Sequence, residues 1–299
     1  MANLKEVRNR IASVNSTQQI TKAMKMVSAA KLKRATNAIV QLRPYATKLK
    51  EMLSNLSSSL EDGASPFLRE REPVRVLVVV VTSNRGLAGA FNTNAIKTAN
   101  NLISEKYSEQ YAAGNVSIVA IGRKAQDYYS KRRYNVIGDN NEVYANLDFT
   151  NVSKITEAIM QGFLDGHYDR VELVYNHFRN AAVQVLVSEQ LLPVPKIVEE
   201  SNIKLKKDDA QQTDYILEPS KKHIVEQLIP KNIKIQLYRA VLDSHASEHG
   251  ARMTAMDKAT DNAGELLRSL KLSYNQARQA AITTELTEIV SGAAALSNG

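Results

Sequence analysis

The sequence predicts an α/β insert carried between long N- and C-terminal helices that form an antiparallel coiled coil. Three observations predict it. Residues 252–296 place Met253, Met256, Thr260, Ala263, Leu267, Leu270, Tyr274, Ala277 and Ala281 at steps alternating between three and four, the seam of a helix lying along a partner helix. The first sixty residues carry a second stripe of the same period. Between the two, a β-branched run opens a stretch in which strand and helix patterns alternate.

The N-terminal helix is predicted over Asn3 to Leu60. Leu4, Val7, Ile11 and Val14 start its seam, the polar stretch Asn15-Ser16-Thr17-Gln18-Gln19 interrupts it, and Ile20, Met24 and Val27 resume it. Ala35, Ala38, Leu42, Tyr45, Leu49, Met52 and Leu56 continue the pattern. Pro44 lies inside this run and is expected to bend the helix rather than end it. Asp62-Gly63, Pro66 and Pro73 mark a break.

The insert follows, over 74–192. Val74 to Val81 reads as a parallel strand covered on both faces. A loop, Thr82 to Ala90, leads to a helix over Asn92–Tyr111. A strand over Val116–Ile121, a helix over Lys124–Arg132 and a short strand over Tyr134–Ile137 come next. The spacing then predicts a helix over Val152–Asp165, a strand over Val171–Phe178, and an antiparallel partner at Val183–Val187 after a turn near Asn180. This is a small doubly wound domain of Rossmann-like type.

Residues 193–219 read as a polar connector, and 220–299 as the second coiled-coil helix. From about Lys221 to its end that helix would measure roughly 110 Å. It outruns its partner, so its last turns need an external sleeve. The seam also slips by one after Ala281 and resumes at Ile282, Leu286, Ile289, Ala293 and Leu296. The slip marks where the helix is expected to leave its partner.

Composition narrows the function classes. There is no Trp, aromatic residues make up 6%, and 12 Gly and 7 Pro are few for a loop-built catalytic site. The absence of Cys excludes disulfides, thiolate metal centres and thiol redox control. No apolar run approaches the roughly 18 residues of a membrane helix. The N-terminus lacks an apolar signal core, and its basic amphipathic character is read as mature structure because the seam begins at Leu4.

The net charge of +8 is uneven: residues 1–50 hold eleven Lys and Arg against one acid, Glu6. Such a bias suits a polyanionic partner surface, whether nucleic acid, acidic lipid or an acidic protein lining. Lys22, Lys25, Lys31, Lys33 and Arg34 could meet nucleic-acid phosphates, although no aromatic residues for base stacking stand nearby.

Other motifs carry less chemistry. Thr82-Ser83-Asn84-Arg85-Gly86-Leu87-Ala88-Gly89 follows a strand and precedes a helix, where α/β folds bind ligands. It matches neither the three-glycine dinucleotide fingerprint nor the phosphate loop and reads as a tight turn. His245 and His249 have helical i, i+4 spacing but lack the zinc-protease pattern, and read as surface residues rather than metal ligands. No cofactor or metal is expected.

Several longer stretches resemble the gamma subunit of F-type ATP synthases. They are Ile20-Thr21-Lys22-Ala23-Met24-Lys25-Met26-Val27, the run Ala251 to Ala263, Tyr274 to Thr283, and Glu285 to Ala293. The resemblance covers essentially the whole chain. It implies a non-catalytic central rotor shaft, whose helices turn inside a 3:3 hexamer of alternating alpha and beta subunits. The insert, with the epsilon subunit, would grip the c-ring.

By this resemblance Lys22, Met24 and Lys25 face an acidic loop of beta. Arg252, Gln279, Thr283, Glu285 and Glu288 match coupling positions, and Arg278 with Gln279 matches a catch-like contact with beta. Tyr215 and Glu218 match positions near the c-ring and epsilon. Asn84, Ala88 and Ala90 depart from the family's usual loop, Leu217 stands where relatives often carry an aromatic residue, and the cysteine-bearing chloroplast insertion is missing. The resemblance implies the cytoplasmic face of a bacterial plasma membrane, with membrane contact only through the c-ring and no nucleic-acid partner. The competing readings are a nucleotide-dependent enzyme built on the insert and a basic coiled-coil nucleic-acid binder.

Overall fold

The computed structural model describes residues 4–57, 65–195 and 220–297. Helix α1 spans Leu4–Ser57 and continues through Pro44. Strand β1 (Val76–Val81) is followed by α2 (Phe91–Lys106), α3 (Ser108–Ala112), β2 (Val116–Ile121), α4 (Arg123–Lys131) and β3 (Asn135–Val136). Then come α5 (Phe149–Leu164), β4 (Arg170–Phe178), β5 (Gln184–Leu192) and α6 (Lys221–Ser297). Two short 3-10 turns, Pro66–Leu68 and Asn141–Tyr144, stand where no element was expected. The expected helix over 92–111 breaks at Tyr107 into α2 and α3.

The chain divides into two compact units, Met1–Ala29 with Arg252–Gly299, and Ala30–Ala251. The second is built on a five-stranded sheet of order β3-β2-β1-β4-β5. Its first four strands are parallel and β5 pairs antiparallel with β4. Every residue of β1 is buried, as its unbroken Val/Leu run requires.

Alternate side chains of β1 enter two cores. Val76, Val78 and Val80 pack with Ile96, Ala99 and Ile103 of α2 and with Ala125 and Tyr129 of α4. Leu77, Val79 and Val81 join Ile159 and Phe163 of α5, Leu49 and Leu53 of α1, and Ile233 and Leu237 of α6. The insert therefore has α2 and α4 on one face and α5, with segments of both long helices, on the other.

Two features depart from the expected seams. In this unit α1 buries Ala35, Ile39, Leu49 and Leu53, whereas Tyr45 is 45% exposed. The 3.6-residue helical period, rather than a strict heptad, decides which side faces the sheet. On α6, nearly every residue from Ile233 to Gly250 is buried or half-buried. That stretch is a core helix covered all round, not one side of a coiled coil. Here the two helices still run antiparallel, with Ala35 and Ile39 packed against Leu242 and Ala246.

Glu172 of β4 is buried beside the α2 layer and needs charged partners there. It accepts a hydrogen bond from the Tyr107 hydroxyl and pairs with Lys106 at 2.7 Å and Arg170 at 3.4 Å. Burial, followed by this carboxylate, pushes the Tyr107 hydroxyl well above its ordinary range. Tyr107 thus closes the base of α2 while satisfying a buried acid.

Candidate functional surfaces of the helix pair

In the unit formed by the chain ends, α1 and α6 run antiparallel. Thr21 Oγ1 lies 2.8 Å from Thr260 Oγ1, Lys25 pairs with Asp257, and Gln18 Nε2 donates to Thr260 O at 3.4 Å. Gly264 faces Gln18, and a Cβ there would stand 2.9 Å from Gln18 Nε2. The missing side chain leaves room for the amide.

These contacts correct the expected seam of α1. The stripe Leu4, Val7, Ile11, Val14 does not break at residue 15; it continues in register as Gln18, Thr21, Lys25 and Ser28. Thr21 and Ser28 are buried, whereas Ile20, Met26 and Val27 are 59%, 62% and 57% exposed. Amphipathicity is therefore inverted over one stretch, with polar groups in the seam and apolar ones outside. The hydroxyls also have acceptors on their own helices, Gln18 O for Thr21, Met24 O for Ser28 and Met256 O for Thr260. Sequence reading gave the seam to apolar side chains and so missed this outward apolar face. The unbroken three–four spacing through Gln18, Thr21 and Lys25 was the available signal.

The α6 seam matches its expected positions. Met256, Ala263 and Leu267 are buried, and Met253, Thr260, Leu270, Tyr274, Ala277 and Ala281 are half-buried. From Ile282 to Ala293 every residue is exposed, with Ile282 at 48%, Leu286 at 57%, and Ile289 and Val290 at 66%. The change falls where the phase slips. Ile282–Ala293 amounts to about 18 Å of exposed helix beyond Ala281, the last half-buried seam position.

The candidate contact residues distribute over these surfaces. Lys22 is exposed, Met24 half-buried, and Lys25 already engaged by Asp257. Arg252 is buried. Arg278, Gln279, Thr283, Glu285 and Glu288 are exposed on α6, and the Thr283 hydroxyl donates to Gln279 O at 2.9 Å. The structure brings no two of these five into an ion pair. Tyr215 and Glu218 lie outside the described residues, as does most of the connector.

The turn after β1, where α/β folds bind ligands, is tied together by its own hydrogen bonds. Thr82 Oγ1 accepts from Ala125 N at 3.0 Å, and Asn84 Oδ1 accepts from Arg123 N at 3.0 Å. Asn92 Oδ1 accepts from Ser83 N at 2.9 Å. The Ser83, Arg123 and Ala125 N–H groups, which could otherwise donate to a phosphate, are thus held by the side-chain oxygens of Asn92, Asn84 and Thr82. Gly122, at φ 112, holds the turn together, because a Cβ there would stand 2.1 Å from Thr82 O. The expected tight turn is what forms.

Two histidine contacts differ from expectation. His249 is buried rather than on the surface, its Nε2 stands 3.1 Å from that of His245, and His245 stacks on Tyr144 at 5.7 Å. The spacing of a surface helix could not anticipate that this stretch of α6 is enclosed. Among the described residues no group of three potential ligands forms a metal site. His177 Nδ1 lies 2.6 Å from Asp243 Oδ2 beside a cavity of about 200 Å³, which Arg43 and Arg239 also line. Burial raises the Asp243 carboxyl, and the His177 contact opposes that shift. The pair bridges β4 and α6, with no hydroxyl nucleophile in the cavity lining except Thr47.

The fold and its surfaces define a class: a scaffold of paired terminal helices, one of them ending in an exposed and partly apolar stretch, with an α/β domain inserted in the chain between them. Comparison with known proteins makes the class specific. A family model described as ATP synthase matches residues 3–296. An ATP synthase gamma chain from Cytophaga hutchinsonii is 54% identical over 299 residues, covering 100% of both chains. That from Flavobacterium psychrophilum is 55% identical over 298 residues, covering 99% of each. The chain belongs to the ATP synthase gamma-chain family. In fold it is similar to a chain of the Euglena gracilis mitochondrial ATP synthase in rotational state 3, with a TM-score of 0.65, 23% identity, and coverage of 98% of this chain and 94% of that one. No helix among the described residues is long and apolar enough to cross a membrane.

Proposed function

We propose that this chain is the central rotor shaft of an F-type ATP synthase, coupling rotation of an ion-driven c-ring to ATP synthesis and hydrolysis at the beta subunits. The observation that carries this reading is the unpartnered end of α6. Ile282, Leu286, Ile289 and Val290 are exposed beyond the last contact with α1. Each is worth about 1.5–3 kcal/mol when fully buried, so the tip calls for an apolar bearing. A 3:3 hexamer of alpha and beta subunits supplies that bearing in this reading.

The outward face of α1 fits the same sleeve. Ile20, Met26 and Val27 stand beside Lys22, which gives the shaft apolar contact together with free charge. Exposed ion pairs are worth about 0–1 kcal/mol each, weak enough to break and re-form at every step. Arg278, Gln279, Thr283, Glu285 and Glu288 are the α6 contacts of this reading. A single chain inside a threefold sleeve meets three catalytic sites differently, and differential contact is what shifts their populations. Tyr215 and Glu218 are assigned to the foot, near the c-ring and epsilon, and the complex to the cytoplasmic face of a bacterial plasma membrane.

The test is deletion of Ile282–Gly299. The paired seam ends at Ala281, so the isolated shortened chain should keep its unfolding midpoint to within about 0.5 kcal/mol of stability. Reconstituted with alpha, beta and the membrane sector, it should lose proton-coupled ATP synthesis. Full coupled synthesis by the shortened form would overturn the assignment.

A further inference from the structure

The α2–α4 face of the insert, opposite the packing segments of the long helices, carries a second charged surface. Helix α4 and the two residues after it present Arg123, Lys124, Lys131, Arg132 and Arg133 to solvent, against a single acid, Asp127. Among the described ion pairs none involves these five cations.

Helix electrostatics accounts for part of this cluster only. The negative end of the macrodipole favours Lys131 and Arg132 in the last turn. Arg123 and Lys124 sit at the opposite, positively polarised end, with no acid in the first turn. Arg133 opposes stability more directly. Its N–H donates to Ser130 O at 3.1 Å and that of Tyr134 to Tyr129 O at 3.2 Å, the paired bonds of a Schellman ending. Arg133 occupies the left-handed position of that motif, at φ 60, where glycine is the usual residue. A cation is kept there at a conformational cost.

The surroundings are joined by hydrogen bonds and ring contacts. Asn100 of α2 donates to the Tyr128 hydroxyl at 2.9 Å and accepts from that of Tyr129 at 3.1 Å. The Arg132 guanidinium carbon lies over the Tyr128 ring, 3.7 Å from its centroid. Tyr111 and Tyr134 stack beside it at 5.3 Å.

We propose that the C-terminal end of α4, with Lys131, Arg132 and Arg133 framed by Tyr111, Tyr128 and Tyr134, docks an acidic surface of a neighbouring protein subunit. A guanidinium resting over a ring can still offer N–H donors that match a carboxylate. Arginine and tyrosine together are the residues that protein interfaces concentrate. The patch has no exposed aliphatic wedge for entering a bilayer; Tyr111 is its large exposed apolar side chain. The rotor reading serves here only to say where the partner is to be sought.

The experiment places p-benzoylphenylalanine at Ser130, on the exposed side of α4, in the complete ATP synthase isolated through a tag on beta. Irradiation should attach the probe to a segment of another subunit rich in Asp and Glu. Arg132→Ser combined with Arg133→Gly should lower the yield at least fivefold, while alpha and beta still co-purify. Arg133→Gly alone should raise the unfolding midpoint of the isolated full chain and still weaken the cross-link. Three results would overturn the proposal: no protein adduct, an adduct on a segment without acids, or a yield indifferent to both substitutions. So would binding of the full chain to phosphatidylglycerol vesicles that disappears with the same substitutions, which would assign the patch to lipid.

Discussion

At Thr21 and Thr260 the helix pair replaces hydrophobic contact with a hydroxyl–hydroxyl contact of 2.8 Å. Each hydroxyl also has an acceptor on its own helix, Gln18 O or Met256 O. With one proton apiece, one donates across the pair and the other to its own helix, and separation strands neither group. Thr21→Val alone should therefore destabilise the isolated chain by only about 0.5–1.5 kcal/mol. The double change Thr21→Val with Thr260→Val should recover most of that loss, because an apolar pair of the same shape replaces a polar one. A double-mutant cycle on thermal unfolding measures it. A double variant worse than the sum of the singles would mean that the hydroxyls support more than each other.

Element by element, the insert was legible because its patterns are local. The Val/Leu run of β1 and the alternation around β2 and β4 lie in the sequence itself, and these strands form within two residues of their expected bounds. Packing that depends on distant residues was not legible. Nothing near His249 reveals that α6 is enclosed there, and Tyr107, where the expected helix breaks, bonds Glu172, 65 residues away in the chain. On α1 the helical spacing was plain, but assigning the seam by hydrophobicity alone put Ile20 and Val27 inside and Gln18 outside. The turn after β1 was read as structural, and Gly122 shows how strictly. With its Cβ position 2.1 Å from Thr82 O, Gly122→Ala should cost about 3 kcal/mol or more, through strain at positive φ and separation of β1 from β2. Loss of soluble full-length chain, or a fall in its unfolding midpoint, would register it; an unchanged midpoint would mean that the turn can rearrange.

For the molecule as a whole, the same residues meet opposite demands before and after assembly. Within a complex, the exposed Ile282, Leu286, Ile289 and Val290 are an asset. On a newly made chain they form an uncovered apolar strip on a helix that also shows Ile20, Met26 and Val27 on its partner. The isolated full chain should therefore self-associate as its concentration rises, and deletion of Ile282–Gly299 should shift sedimentation toward monomer. Equal association by both forms would place the sticky surface elsewhere. If the strip behaves in this way, the order of synthesis matters: a chain produced ahead of its sleeve becomes a liability to the cell. The tip proposed as a bearing would then also act as a timer on biogenesis, because orphan copies are the ones left open to aggregation and proteolysis.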